Sequence, residues 1–198
     1  SMALPGLLKP SFDQLNIALD LLEKCILEDH RILIVGDFDA DGATASAVAI
    51  KALRLMGAKH VDFLVPNRFK HGYGLSPEIV QEAKTDKDPN LIITVDNGIS
   101  SNEGAALARS FDIDVIITDH HLPPKVLPEA NSIINPNLRG CDFPSKNLAG
   151  VGVCFYLFSA LKTHLVAKGY FEAHNIQVPD LRELLDLVAL GTVADVVK

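Results

Sequence analysis

Apolar residues recur along this chain in two alternating rhythms. Continuous runs rich in Ile, Leu and Val at Arg31 to Val35, Val61 to Val65, Leu91 to Val95 and Val115 to Thr118, with a shorter one at Ser132 to Ile134, predict buried strands. Between them, apolar positions fall at helical spacing. Phe12 to Glu28 carries Phe12, Leu15, Ile17, Leu19, Leu22 and Ile26 behind Ser11 as a cap, and Ala43 to Met56 ends at Gly57. Ser76-Pro77-Glu78 opens another helix, with Ser as cap and Pro at the first position. Further helices are expected from about Ser101 to Ser110, Ala149 to Lys168 and Leu181 to Leu190, while the Pro- and Asn-rich stretch Leu122 to Ser145 reads as loop around the short strand. This β-α alternation predicts an α/β fold, a parallel β-sheet flanked by helices on both faces.

Three of the strands run into acids: DFDADG from Asp37 to Gly42, VDNG from Val95 to Gly98, and TDHH from Thr118 to His121. In a parallel sheet the carboxyl ends of the strands share one edge, which would gather Asp37, Asp39, Asp41, Asp96, Asp119, His120 and His121. So many carboxylates crowd together only with cations. The plainer alternative, Asp as a helix cap in βα loops, suits any one of them, Asp96 especially, but not all three sites together. An EF-hand loop fails because its twelfth position is Val48 and a strand precedes it. A dehalogenase-type phosphatase fails because Asp41 stands where Thr or Val belongs, and a receiver-type phosphoacceptor pocket uses fewer acids and no His-His pair. Carboxylates with imidazole and no thiolate favour Mn²⁺ or Mg²⁺, and several carboxylates can bridge two ions ~3.5 to 4 Å apart for phosphoester hydrolysis.

The 198 residues suit one domain or slightly more, and 48% hydrophobic with 22% charged residues describes a globular protein. A formal charge of −7 argues against a surface-wide basic footprint for nucleic acid, though not against a local one. Cys25, Cys141 and Cys154 lack CxxC spacing, which excludes a disulfide framework or thiolate zinc site; Cys25 and Cys154 read as core. No apolar run approaches the ~20 residues of a membrane span and SMALPGLLKP lacks a signal-peptide pattern, so a cytoplasmic protein without membrane contact is expected. Arg68, Lys70, His71 and Tyr73, in a Pro- and Gly-punctuated loop, could contact phosphate and stack a base, with a solvated basic loop as the alternative. Gly150-Val151-Gly152 could aim amides at a phosphate, or could simply permit close helix packing. Ser100 and Ser101 read as caps, and His30, His60, His164 and His174 as isolated histidines. Asp195, in the ending GTVADVVK, follows an apolar helix, and the chain reads as a fragment of something longer.

Asp119-His120-His121, preceded by DADG and VDNG and followed by GTVADVV, resembles the DHH phosphoesterase superfamily. VPNRFKHGYGLSPE, VDNGISS, TDHHLPP, INPN, LAGVGVCFYL and LLDLVALGTVADVV extend the likeness to its branch of single-strand-specific DNA exonucleases, from about Arg31 to the last residue. The resemblance implies that Asp39 and Asp41 each serve one of two metal ions and that Asp96 bridges them. It makes His120 and Asp195 further metal ligands, and gives His121 to the substrate phosphate. Asp37 takes the ligand role of a histidine that other branches carry at the position of Val35, and Asp119 orients a histidine. It further implies 5′ to 3′ hydrolysis of single-stranded DNA in recombination and repair, beside single-strand-binding protein and a helicase. Residues 1–30 would be a tag remnant and lead-in helix and 31–198 the catalytic domain, with a second cleft-closing domain and an OB-fold absent, so that the chain alone is weakly active or inactive. Two other readings stay open: a relative acting on short oligonucleotides, cyclic dinucleotides or pyrophosphate, and a metal-binding module without catalysis.

Overall fold

Continuous Ile, Leu and Val runs survive in a folded chain only where both sheet faces are covered, and that is how they are used here. The computed structural model describes residues 10–140 and 147–196. Strands β1 (Arg31–Val35), β2 (His60–Leu64), β3 (Leu91–Val95), β4 (Asp114–Thr118) and β5 (Ser132–Ile134) form one sheet in the order β2-β1-β3-β4-β5. Every pairing is parallel. Helices α1 (Pro10–Leu27), α2 (Ala40–Leu55), α3 (Pro77–Asp86), α4 (Asn102–Ser110), α5 (Gly150–Ala167), α6 (Tyr170–Ala173) and α7 (Leu185–Val196) surround it.

Alternation along β1 divides the core. Ile32 and Ile34 join Leu22, Ala49, Leu53, Leu157 and Phe158 in the layer built by α1, α2 and α5. Leu33 and Val35 face the opposite way, into a smaller layer with Ile79 and Val80 of α3 and Ala108 of α4. The expected helices on both faces are present. Cys25 and Cys154 are buried in the larger layer, whereas Cys141 falls outside the described residues.

Several boundaries differ from expectation for identifiable reasons. Helix α2 begins at Ala40 rather than Ala43, because Asp39 caps it by accepting a hydrogen bond from the Gly42 amide at 2.8 Å. Ser11 lies inside α1, which opens on Pro10 at its first position. The segment read as a helix from Leu181 is a 3-10 turn (Leu181–Leu184) followed by α7, and α7 runs on to Val196, so Asp195 sits within a helix rather than after one. Helix α5 is apolar and long enough to meet the length and composition of a membrane span, contrary to expectation, but Val151, Val153, Cys154, Leu157, Phe158 and Leu161 are each 0% exposed in the core.

Helix α7 packs closely on α2 where Gly191 meets Thr44. A Cβ at Gly191 would lie 2.3 Å from Thr44 Oγ1 and 2.8 Å from Val151 Cγ1. Gly191→Ala is therefore expected to force α7 outward, destabilise the fold by about 1–3 kcal/mol and displace Asp195. Denaturant unfolding and Mn²⁺ titration of the variant check both effects; unchanged stability would show that α7 yields without cost.

Candidate metal centre

The connection after β1 leads to the edge strand β2, whereas the chain from β3 onward fills the other side, so the order reverses between β1 and β3. In open parallel sheets the crevice at such a reversal, beyond the carboxyl ends of the strands, is where ligands bind. Asp37, Asp39 and Asp41 follow β1, Asp96 follows β3, and Asp119, His120 and His121 follow β4. Three ligand-bearing groups meet there, each with side-chain atoms within 4.8 Å of one another: Asp37, Asp39 and Asp96; Asp96, His120 and His121; and Asp41, His120 and Asp195. Asp96 belongs to the first two and His120 to the last two, which joins the three into one site.

Two of the deeply buried acids, Asp41 and Asp96, are held differently. Asp41, 1% exposed, accepts the Gly150 amide on Oδ2 at 2.8 Å and the Val151 amide on Oδ1 at 2.9 Å, so the N-terminus of α5 grips its carboxylate. Asp96, 2% exposed, adopts a left-handed backbone with φ of 62°. His120 Nε2 lies 3.0 Å from Asp96 Oδ1, near enough to pair charges but outside hydrogen-bonding geometry, and this buried oxygen accepts no hydrogen bond. Gly150 makes the arrangement possible: a Cβ there would stand 2.4 Å from the same oxygen.

Electrostatics follow from the crowding. Burial pushes the Asp96 carboxyl up to about 7, and Asp41 reinforces the shift while His120 opposes it. Burial likewise raises Asp41, against the pull of the Val151 and Gly150 amides. Burial disfavours the His120 cation, yet the Asp96 carboxylate holds its pKa above the ordinary value. His121 is raised to about 9, chiefly by its hydrogen bond to Asp119, with Nδ1 2.6 Å from Oδ1. Asp119 is 1% exposed and also accepts the amides of Ile99, His120 and His121, at 3.0, 2.8 and 3.2 Å. Its carboxylate is committed to shaping the turn and aiming His121.

The remaining sequence candidates divide. Tyr73 stands edge-on to His121, with ring centroids 6.4 Å apart, and Arg68 stacks its guanidinium 4.3 Å above the ring of Phe38, the residue between Asp37 and Asp39. Lys70 and His71 both turn to Glu82 of α3, each at 2.7 Å, and His71 also accepts the Asn67 amide, so this pair braces the loop. The expected approach of the Gly150 and Gly152 amides to a phosphate is not how they are used: the first donates to Asp41 and the second to the Ala149 carbonyl. Ser101 is the N-cap residue of α4 as expected, but its hydroxyl holds the Leu75 amide rather than an amide of the helix. His164 is not isolated, since Nε2 lies 2.6 Å from Glu23 Oε2, and His30 pairs with Glu28 at 3.0 Å. Sequence reading missed the asparagines. Asn97 donates to the Val35 and Val95 carbonyls, tying the ends of β1 and β3, while Asn135 and Asn137 donate to the carbonyls of His121 and His120. Their signal was present in VDNG and INPN.

The donors fit divalent metal. A buried carboxylate oxygen without a hydrogen-bond donor, surrounded by further acids and an imidazole, is poorly accommodated unless a cation takes it. Oxygen-rich ligation without thiolate matches Mn²⁺ or Mg²⁺.

Comparison with known proteins agrees with this geometry. A family model described as the DHH family, N-terminal domain, matches residues 31–192. The single-stranded-DNA-specific exonuclease RecJ of Escherichia coli is 59% identical over 180 residues, covering 91% of this chain and 31% of that protein. The enzyme of the same name from Thermus thermophilus is 36% identical over 182 residues, 92% of this chain and 25% of its own length. The chain thus spans less than a third of either. Among solved structures, an exonuclease RecJ bound to manganese superposes with a TM-score of 0.75 at 34% identity, covering 92% of this chain and 43% of that one. RecJ from Thermus thermophilus in complex with Mn²⁺ gives 0.71 at 33%, covering 97% and 26%.

Two outcomes follow from the charges. An acid whose pKa rises on folding binds its proton more tightly in the folded state, so stability falls as pH rises from the unfolded value through the folded one; the raised histidines act in the same direction. The metal-free chain should therefore melt at a lower temperature at about pH 8 than at about pH 5, and Mn²⁺ should restore most at the higher pH; calorimetric scans at both decide it. In Asp119→Asn the His121 pKa should drop from about 9 toward its ordinary 6.5, as followed by NMR titration of the ring; no movement would detach His121 from Asp119.

Proposed function

This chain belongs to the DHH family, and from that premise we propose that it is the catalytic core of a two-metal exonuclease hydrolysing single-stranded DNA. The observation that carries the reading is the buried Oδ1 of Asp96, which accepts no hydrogen bond at the junction of the ligand groups. Resemblance to proteins named single-stranded-DNA-specific exonucleases supplies the substrate.

In this reading Asp37, Asp39 and Asp96 would hold one Mn²⁺ or Mg²⁺, and Asp41, Asp96, His120 and Asp195 the other. Bound divalent cations supply activation of water and neutralisation of phosphoryl charge. The protein's own groups do the rest. His121, held cationic by Asp119, donates toward a non-bridging phosphate oxygen as charge builds there. Burial and the surrounding acids keep the Tyr73 phenol protonated, leaving its ring at the mouth of the site for a base to stack on. The Arg68 guanidinium adds a phosphate contact from the same loop. Asn97, Asn135 and Asn137 keep the strand ends and the histidine turn from shifting relative to the acids.

We assign residues 31–198 to the catalytic domain, and to the unmatched parts of the longer relatives the remaining grip on the strand. Cytoplasmic recombination and repair, 5′ to 3′ polarity, and partnership with single-strand-binding protein and a helicase complete the proposal, on family resemblance.

Mn²⁺-dependent nucleotide release from a labelled single strand tests the reading, with Asp96→Ala as the control. Activity should vanish in the variant. Because one residue serves both ions, Asp96→Ala should also lose more Mn²⁺ affinity than Asp39→Ala or Asp41→Ala, by roughly 100-fold or beyond. Equal losses in all three would remove the bridging role, and absence of Mn²⁺ binding by the unaltered chain would end the metal-centre reading.

A further inference from the structure

Phe38 has no place in either hydrophobic layer of the core, yet it stands between two acids of the metal centre, 40% exposed. A part-exposed aromatic ring is costly between two acids, and a polar residue would suit the loop better if spacing Asp37 from Asp39 were its only task. The backbone fixes it firmly. Its amide donates to Asp37 Oδ1 at 2.7 Å, and the next residue, Asp39, is locked as the cap of α2. The ring is thus tied to the acids, and the Arg68 guanidinium lies 4.3 Å above its centroid.

The two cations of the 66–74 loop are treated differently. Lys70 is engaged by Glu82, which neutralises it and points it to α3. Arg68 is engaged by the face of an aromatic ring. Face stacking holds a guanidinium by its π surface and leaves its in-plane N–H donors, the ones that grip phosphate in a fork, unused by the contact.

We propose that Phe38 is a positioning residue for substrate: its ring sets the Arg68 guanidinium at the rim of the metal centre, registering a phosphate of the strand against Asp37, Asp39 and Asp96. The inference deepens the nuclease reading and rests on it. It couples strand binding to the loop that carries the metal ligands, since Phe38 cannot move without Asp37 and Asp39.

The test is equilibrium binding of a short labelled single strand across a salt series, in the unaltered chain and in Phe38→Leu, Phe38→Tyr, Arg68→Ala and the Phe38→Leu/Arg68→Ala pair, with Mn²⁺ calorimetry on each. Phe38→Leu should weaken binding about two- to five-fold and flatten the salt dependence by up to about 0.7 in log-log slope, one phosphate contact. Phe38→Tyr should restore both, the double variant should bind no worse than Arg68→Ala, and Mn²⁺ affinity should stay unchanged in Phe38→Leu. Additive losses in the double variant, or a fall in Mn²⁺ affinity that parallels the loss of strand, would show that Phe38 merely supports the acids and would overturn the proposal. So would a chain that binds no single strand. A chain that binds the strand with this pattern but binds no Mn²⁺ sinks the nuclease reading and leaves the positioning role standing.

Discussion

Repulsion among buried carboxylates is the constraint around which this molecule is organised. Two unit charges ~5 Å apart at an effective dielectric of ~20 repel by about 3 kcal/mol, and here Asp37, Asp41 and Asp96 are buried beside one another with Asp39 and Asp195 close by. Protein groups meet part of that demand. The N-terminus of α5 takes both oxygens of Asp41, α2 uses Asp39 as its cap, and His120 stands between Asp41 and Asp96. What they leave unmet is concentrated on one atom, Asp96 Oδ1. A fold that gives this oxygen a neighbouring imidazole but no hydrogen bond leaves room there for a cation.

The scaffold explains why the acids cannot relax apart. Three of them follow the buried carboxyl ends of the adjacent strands β1 and β3, and Asn97 bridges the carbonyls at those ends. Helix α5 is pinned by an apolar surface that is buried from Val151 to Leu165. Moving Asp41 away from Asp96 would mean withdrawing α5 from the core. Hydrophobic burial therefore offsets electrostatic strain, which is the usual way a site is kept ready for a charged ligand.

The strands and their acids were legible because a buried parallel strand leaves an unmistakable composition, and β3 and β5 begin and end where the apolar runs do. Helix starts were less legible because Asp39 has two jobs, and its role as a cap shifted α2 by a turn and moved Asp41 onto the helix. Asp195 was visible as an acid in an apolar run, but not its place on α7, which depends on the Gly191 contact with Thr44. Gly150 misled for a physical reason. A helix N-terminus attracts any anion, and sequence alone does not say whether that anion comes from a ligand or from Asp41, more than a hundred residues earlier in the chain.

The adjacent histidines show how far one strand end can divide its labour. The two rings lie side by side, centroids 4.5 Å apart, yet His120 Nε2 faces Asp41 and Asp96 while His121 Nδ1 is drawn back to Asp119. The same imidazole chemistry is thus placed in two settings, separated by which carboxylate each one meets. Asp119 enforces the split, because the oxygen that aims His121 also accepts the amides of both histidines. Asn is the same length but turns one of the two accepting oxygens into a donor, so either the Ile99 amide or the histidine side of the turn would lose its acceptor, and the aspartate is required by backbone geometry as much as by charge. The tripeptide is thus a structural unit first, its turn set by Asp119 and its two imidazoles divided between different carboxylates.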